Sequence, residues 1–138
     1  MPLSAVKWVD LPVFADERGS LSVIQGNTTI PFSIARVFYI YRVAQNAIRG
    51  GHAHYKTQQL VLSIAGSFVL ELTDGVTTQT YSMNDPARAV YIPPMIWDRL
   101  SNFSEDAICM VLASEPYDEA DYVRDWGRYL SEVNLVQR

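Results

Sequence analysis

Residues 59–81 read QLVLSIAGSFVLELTDGVTTQTY. Three short runs within them, Gln59–Ile64, Ser67–Leu72 and Val76–Tyr81, are rich in β-branched and aromatic residues and alternate with period two, the repeat of an extended strand. Gly66-Ser67 separates the first two runs. Asp74-Gly75 separates the second pair, and such a dipeptide suits a tight hairpin because both central residues of a type I′ turn need positive φ.

The same pattern extends on both sides. Leu21–Ile24 and Ile34–Val43 precede this stretch, Ala89–Ile92 and Ile108–Ala113 follow it, and Asn84-Asp85-Pro86 punctuates between them. Short strands at even spacing, without helices between them, predict an all-β domain: a sandwich, a barrel or a jelly roll. After Pro116 the period changes. Ala120, Val123, Trp126 and Leu130 fall three or four apart, which predicts a short C-terminal α-helix over Asp118–Leu130, with Asp118 as its cap and Glu119 in its first turn. Gly127 weakens the second half of that helix.

A chain of 138 residues with 49% hydrophobic and 19% charged residues suits one packed domain, residues 1–138, and excludes a disordered or collagen-like chain. Eleven Lys and Arg against fifteen Asp and Glu give a formal charge of -4, so no bulk positive field is available for a nucleic-acid backbone. Nucleic acid is not an expected partner. Nine of the eleven cations are Arg, a bias that suits forked recognition of a small carboxylate- or phosphate-bearing ligand. Cys109 is the only cysteine, which excludes an intramolecular disulfide, and its apolar neighbours Ile108, Met110, Val111 and Leu112 predict a buried, inert thiol. Residues 1–10 lack a basic stretch followed by an apolar one, and nowhere do eighteen apolar residues run together; the expectation is a soluble, cytoplasmic protein with no membrane partner.

Both histidines lie in Gly51-His52-Ala53-His54. On a strand, residues i and i+2 share a face, so the two imidazoles project side by side into one space, where they suit proton transfer or metal binding. The order Arg49-Gly50-Gly51-His52-Ala53-His54, Gln58-Gln59, an apolar strand and Gly66 resembles the first motif of the cupin superfamily of small jelly rolls. Metal-binding cupins carry a glutamate four residues after the second histidine; here that residue is Gln58.

Further segments sharpen the likeness. Asp16-Glu17-Arg18-Gly19-Ser20-Leu21, Pro31 to Ile40, Arg49 to His54, Pro93 to Trp97 and Tyr117 to Arg124 occur in order, and together they resemble the dTDP-4-keto-6-deoxyglucose 3,4-ketoisomerases of deoxysugar biosynthesis. The resemblance implies a cupin-type jelly roll in a strand-exchanged homodimer, acting without cofactor or metal on a dTDP-linked 4-keto-6-deoxy sugar. It makes His52 and His54 the acid/base residues and puts Tyr39 near the sugar. In this family a histidine commonly follows the tryptophan of the Pro93–Trp97 segment; here Asp98 does.

The chemistry needs few groups. Moving a ketone from C4 to C3 removes the C3 proton, passes through an enediol or enediolate, and returns a proton to C4. Two imidazoles held at different pKa values can serve, with Tyr39, Gln58 or Gln59 donating hydrogen bonds to the oxygens. Arg18 either clamps a diphosphate or caps its turn, Arg49 contacts phosphate or pairs with a carboxylate, and Arg36 points into the barrel or out of it. Trp97 stacks on the ligand or fills the barrel mouth, and Asp98 stands on the same wall. A nucleotide-sugar epimerase of the same fold, or a non-catalytic nucleotide-sugar-binding cupin, are the alternatives.

Overall fold

The computed structural model describes residues 2–137. Its strands are β1 (Lys7–Asp10), β2 (Val13–Asp16), β3 (Gly19–Ser22), β4 (Arg36–Tyr41), β5 (Arg49–His54), β6 (Gln59–Ala65), β7 (Phe68–Thr73), β8 (Thr78–Met83), β9 (Arg88–Ile92), β10 (Trp97–Ser101), β11 (Ile108–Ala113) and β12 (Tyr122–Val123), and α1 (Trp126–Gln137) closes the chain. Two five-stranded sheets, ordered β1-β9-β6-β11-β4 and β12-β5-β10-β7-β8, enclose the core, as expected of the cupin jelly roll. The alternation places Leu70 and Leu72 of β7, Val61 of β6, Val90 and Ile92 of β9 and Val111 of β11 between the sheets, all buried. Full burial of such side chains contributes roughly 1.5–3 kcal/mol each. The Cys109 thiol lies in this core, and burial pushes its pKa up to about 12, so it is a packing residue.

The β7–β8 hairpin forms, with a different turn. Thr73 pairs with Thr78, and positive φ occurs at Gly75 but not at Asp74. The Asp74 carboxylate instead accepts from the backbone N–H groups of Val76 at 2.9 Å and Thr77 at 2.8 Å, which closes the loop without a left-handed Asp.

The C-terminal helix starts later than its spacing predicts. Asp118 caps only a one-turn 3₁₀ helix, Glu119–Asp121, by accepting from the Ala120 N–H; Tyr122 and Val123 then extend and pair with His54 and Ala53. Buried Asp121 fixes this path, accepting from the Lys56 N–H at 2.8 Å and from the Thr57 hydroxyl. The true cap of α1 is Asp125, whose carboxylate accepts from the Arg128 N–H at 2.8 Å. Gly127 therefore lies in the first turn, where it interrupts little. The helix docks on the outer face of β5 through Tyr129 and Val133, packed with Ala53 and Val123. The Tyr129 hydroxyl reaches the carbonyls of Met95 (2.9 Å) and Thr73 (3.1 Å), and tethers the helix to the loop before β10 and to the end of β7.

β2 and β3 form a separate two-stranded ribbon in which every residue is exposed. Val13, Phe14 and Leu21 on it are at least half exposed. Beside the ribbon runs an apolar trough of about 740 Å³, floored by Leu62, Ile64, Met110 and Leu112.

Candidate active site

After Arg49, β5 carries two consecutive glycines at positive φ, Gly50 at 80° and Gly51 at 83°. These values suit glycine, and they introduce a bulge: β10 pairs Asp98 with His52 and Arg99 with Gly50, so Gly51 is the extra residue. Beyond the bulge the strand is regular. His52 and His54 face the interior, and Ala53 faces α1, where it is fully buried.

A cavity of about 220 Å³ lies between the sheets, lined by Tyr39 and Phe38 of β4, Arg49, Gly50 and His52 of β5, Gln59 of β6, Asp98 of β10, and Tyr122 and Arg124. His52 Nε2 is 3.8 Å from Asp98 Oδ2. His54 lies one layer deeper, 4% exposed, with its ring centroid 4.3 Å from that of Tyr122 and 5.2 Å from that of His52. Desolvation, reinforced by the neighbouring His52, lowers its pKa to about 4, so His54 is neutral at physiological pH. Asp98 is moved the other way: burial raises its pKa, against the opposing pull of His52 and of the backbone N–H groups of His52 and Gly51. Four buried polar atoms converge here without a hydrogen-bond partner: His52 Nδ1, His54 Nε2, Asp98 Oδ1 and Arg36 Nε. Unsatisfied buried groups are uncommon in folded proteins, and a cluster of them marks a place where a ligand supplies the partners.

The rim is cationic. Arg124 lies 4.2 Å from the Tyr122 ring centroid and is held by a two-pronged pair with Glu119, at 2.7 and 3.0 Å. That pair, with a hydrogen bond from the Tyr117 hydroxyl, holds the Glu119 pKa down to about 2. Arg36 turns toward the same corner, its Nη2 3.5 Å from the Tyr122 hydroxyl, and Arg49 stands on the opposite strand.

Of the residues proposed from sequence, the fold gathers His52, Tyr39, Arg49, Gln59 and Asp98 around one cavity, with His54 and Arg36 behind it. Tyr39 is at the mouth, 61% exposed. Three others lie elsewhere. Trp97 precedes Asp98 on β10 and so faces the opposite side, where it packs against Trp126 and Tyr129 at about 5 Å. The Gln58 side chain accepts from the Tyr91 hydroxyl at 2.7 Å, outside the cavity lining. Arg18 sits on the exposed ribbon, paired with Asp16 at 2.6 Å. Sequence reasoning missed Tyr122 and Arg124 as wall residues because it assigned them to a helix. The alternation of Tyr122 and Arg124 around buried Val123 was the available signal.

Among the described residues no three His, Cys, Asp or Glu side chains converge as a ligand set for a metal ion, and no helix is long and apolar enough to cross a membrane.

The chain is similar to known proteins along nearly its whole length. Residues 4–134 match the family model described as FdtA, WxcM-like, C-terminal. A TDP-4-oxo-6-deoxy-alpha-D-glucose-3,4-oxoisomerase from Aneurinibacillus thermoaerophilus is 39% identical over 132 residues, covering 94% of this chain and 95% of the relative. QdtA, a sugar 3,4-ketoisomerase from Thermoanaerobacterium thermosaccharolyticum solved with TDP, superposes with a TM-score of 0.95 at 36% identity, over 97% of this chain and 98% of its own. A histidine-to-asparagine variant of QdtA, solved with TDP-4-keto-6-deoxyglucose, gives a TM-score of 0.92 at 35% identity over 94% of each chain.

Proposed function

We infer, for a chain that belongs to the FdtA family, that it is a sugar 3,4-ketoisomerase which converts a dTDP-linked 4-keto-6-deoxyglucose to its 3-keto isomer. The observation that carries this reading is the match along nearly the whole chain to a 3,4-oxoisomerase, in a fold that brings His52 and a buried carboxyl to one cavity with His54 directly behind it. The decisive experiment is incubation with dTDP-4-keto-6-deoxyglucose, followed by carbon NMR. The ketone signal is expected to move from C4 to C3. A ketone that stays at C4 beside an inverted centre would make the protein an epimerase, and a recovered sugar that takes up no solvent deuterium would make it a binding protein.

His54 serves as the carbon base. It is neutral at working pH, its Nε2 lone pair is unpartnered, and the conjugate acid formed by taking the C3 proton is strong enough to return it to C4. The Tyr122 ring packs against this imidazole, 4.3 Å between centroids. His52 stands on the cavity wall beside the sugar oxygens, Tyr39 and Gln59 provide further donors, and Arg49, Arg124 and Arg36 supply positive charge for the diphosphate.

Catalysis in this scheme needs no metal. Gln58 contributes no negative charge where metal-binding cupins have a carboxylate, and its amide is already engaged by Tyr91. Full activity is expected after exhaustive chelation. Activity that disappears and returns with one particular dication would overturn the metal-free scheme and make His52, His54 and Asp98 the ligands to test.

The protein acts as a homodimer that exchanges its N-terminal ribbon. The apolar side chains of β2 and β3 and the neighbouring trough are the kind of surface a second copy covers, and pairing also protects the exposed strand edges. Light scattering at micromolar concentration is expected to give twice the 15.6 kDa chain mass. A mass equal to one chain would exclude the exchange.

A further inference from the structure

Asp98 is the buried group whose surroundings the scheme above leaves unexplained. Its residue is 6% exposed, yet it lies on the cavity wall with Oδ1 unpartnered, while Oδ2 stands 3.8 Å from His52 Nε2. The two-glycine bulge builds a socket for it. The backbone N–H groups of Gly51 and His52 point at the carboxyl, and a Cβ at Gly50 would come within 2.6 Å of Oδ1. A carboxyl kept only for packing would have both oxygens satisfied; here one is left free beside the ring of a second proton carrier.

We propose that Asp98 is a positioning residue that acts through His52, the two side chains sharing one transferable proton that serves the sugar oxygens while His54 serves the carbons. The inference rests on the ketoisomerase reading, and the protons balance within it. His54 takes the proton from C3 and leaves the C3–C4 enediolate; the pair then donates its proton to O4 to give the enediol. The pair then takes the proton from O3 as the 3-ketone forms, and His54 returns its proton to C4. The pair ends with the proton it began with, and no oxidant or reductant is needed. Burial raises the Asp98 pKa, while the His52 ring and the backbone N–H groups of His52 and Gly51 pull the other way. The other titratable or charged groups around the pair are His54 and Arg49 on β5, Cys109 from β11, Tyr39 from β4, and Glu119, Tyr122 and Arg124 from the C-terminal segment.

Asp98→Asn keeps the shape and removes the proton site. The expected result is a fall in kcat of about 10²-fold with KM changed less than about threefold, while exchange of the C3 hydrogen with D2O falls less than about tenfold, so that exchange outruns isomerisation. A kcat within about twofold of wild type, or exchange and isomerisation falling by the same factor, overturns the proposal. NMR of the unaltered protein tests it without relying on the variant: the Asp98 carboxyl carbon and the His52 ring nitrogens are both expected to respond at each protonation step of the pair, and a step seen by only one of the two overturns it. Should the wild type move no ketone, the ketoisomerase reading falls, while the shared titration is still decided on its own measurement.

Discussion

Replacing His54 by asparagine is expected to lower turnover of the keto sugar by about 10²-fold or more, the scale of general acid–base catalysis. Asparagine keeps a hydrogen-bonding end of similar reach but cannot take up a proton. The ring it replaces has been stripped of water, left with one unpartnered nitrogen and lowered to a pKa of about 4. Little is gained by packing an imidazole in this way unless its lone pair is used. His52→Asn is the companion measurement. Wild-type rates in both variants would remove this cavity from the reaction, and loss only in His52→Asn would move the base to the ring on the wall.

The second large effect concerns stability. His54 has a folded-state pKa of about 4 against an ordinary 6.5, so the unfolded chain binds its proton first as pH falls. The folded protein is therefore penalised progressively between about pH 6.5 and 4, by about 3 kcal/mol at the lower end, and not at all above 6.5. Asp98 acts in the opposite sense: its raised folded-state pKa makes the folded form the better proton acceptor as pH drops. Comparing wild type with His54→Asn isolates the histidine. Urea unfolding at pH 7 and at pH 4 is expected to show the variant losing about 3 kcal/mol less than wild type across that interval. Equal losses would mean that the ring is hydrated and that its neutrality at working pH has another cause.

What could be read from the chain follows from where its periodicity is undisturbed. β6, β7, β9 and β11 are mostly apolar, β-branched runs bounded by turn residues, and they emerge close to their predicted bounds. β10 was overlooked because its inward position is Asp98, a polar residue where alternation demands an apolar one; the chemistry that makes the strand useful erases its signature. β1 is only four residues long, with charges at both ends. Val123 misled in another way. It is fully buried and does fit a helical spacing with Trp126, but it reaches the core from a two-residue strand held by the buried carboxylate of Asp121. The histidine pair was legible because strand geometry alone puts i and i+2 together. That same geometry forbids Trp97 and Asp98 from sharing a cavity, since neighbours on a strand face opposite ways.

The C-terminal segment gives the molecule two different strengths. β12 is a two-residue strand at the edge of its sheet, and α1 is moored behind it by a small satellite cluster centred on Tyr129 and Val133, separate from the main core between the sheets. Such peripheral units open at lower free energy than the whole domain. Yet Tyr122, in that strand, lies against both imidazoles, and Arg124 follows it on the cavity wall. Detachment of the tail would unroof the site while leaving the barrel intact, so mild heat or denaturant is expected to silence the enzyme before its bulk fold melts, with loss of activity reporting the hold of the last few turns of chain rather than the strength of the jelly roll.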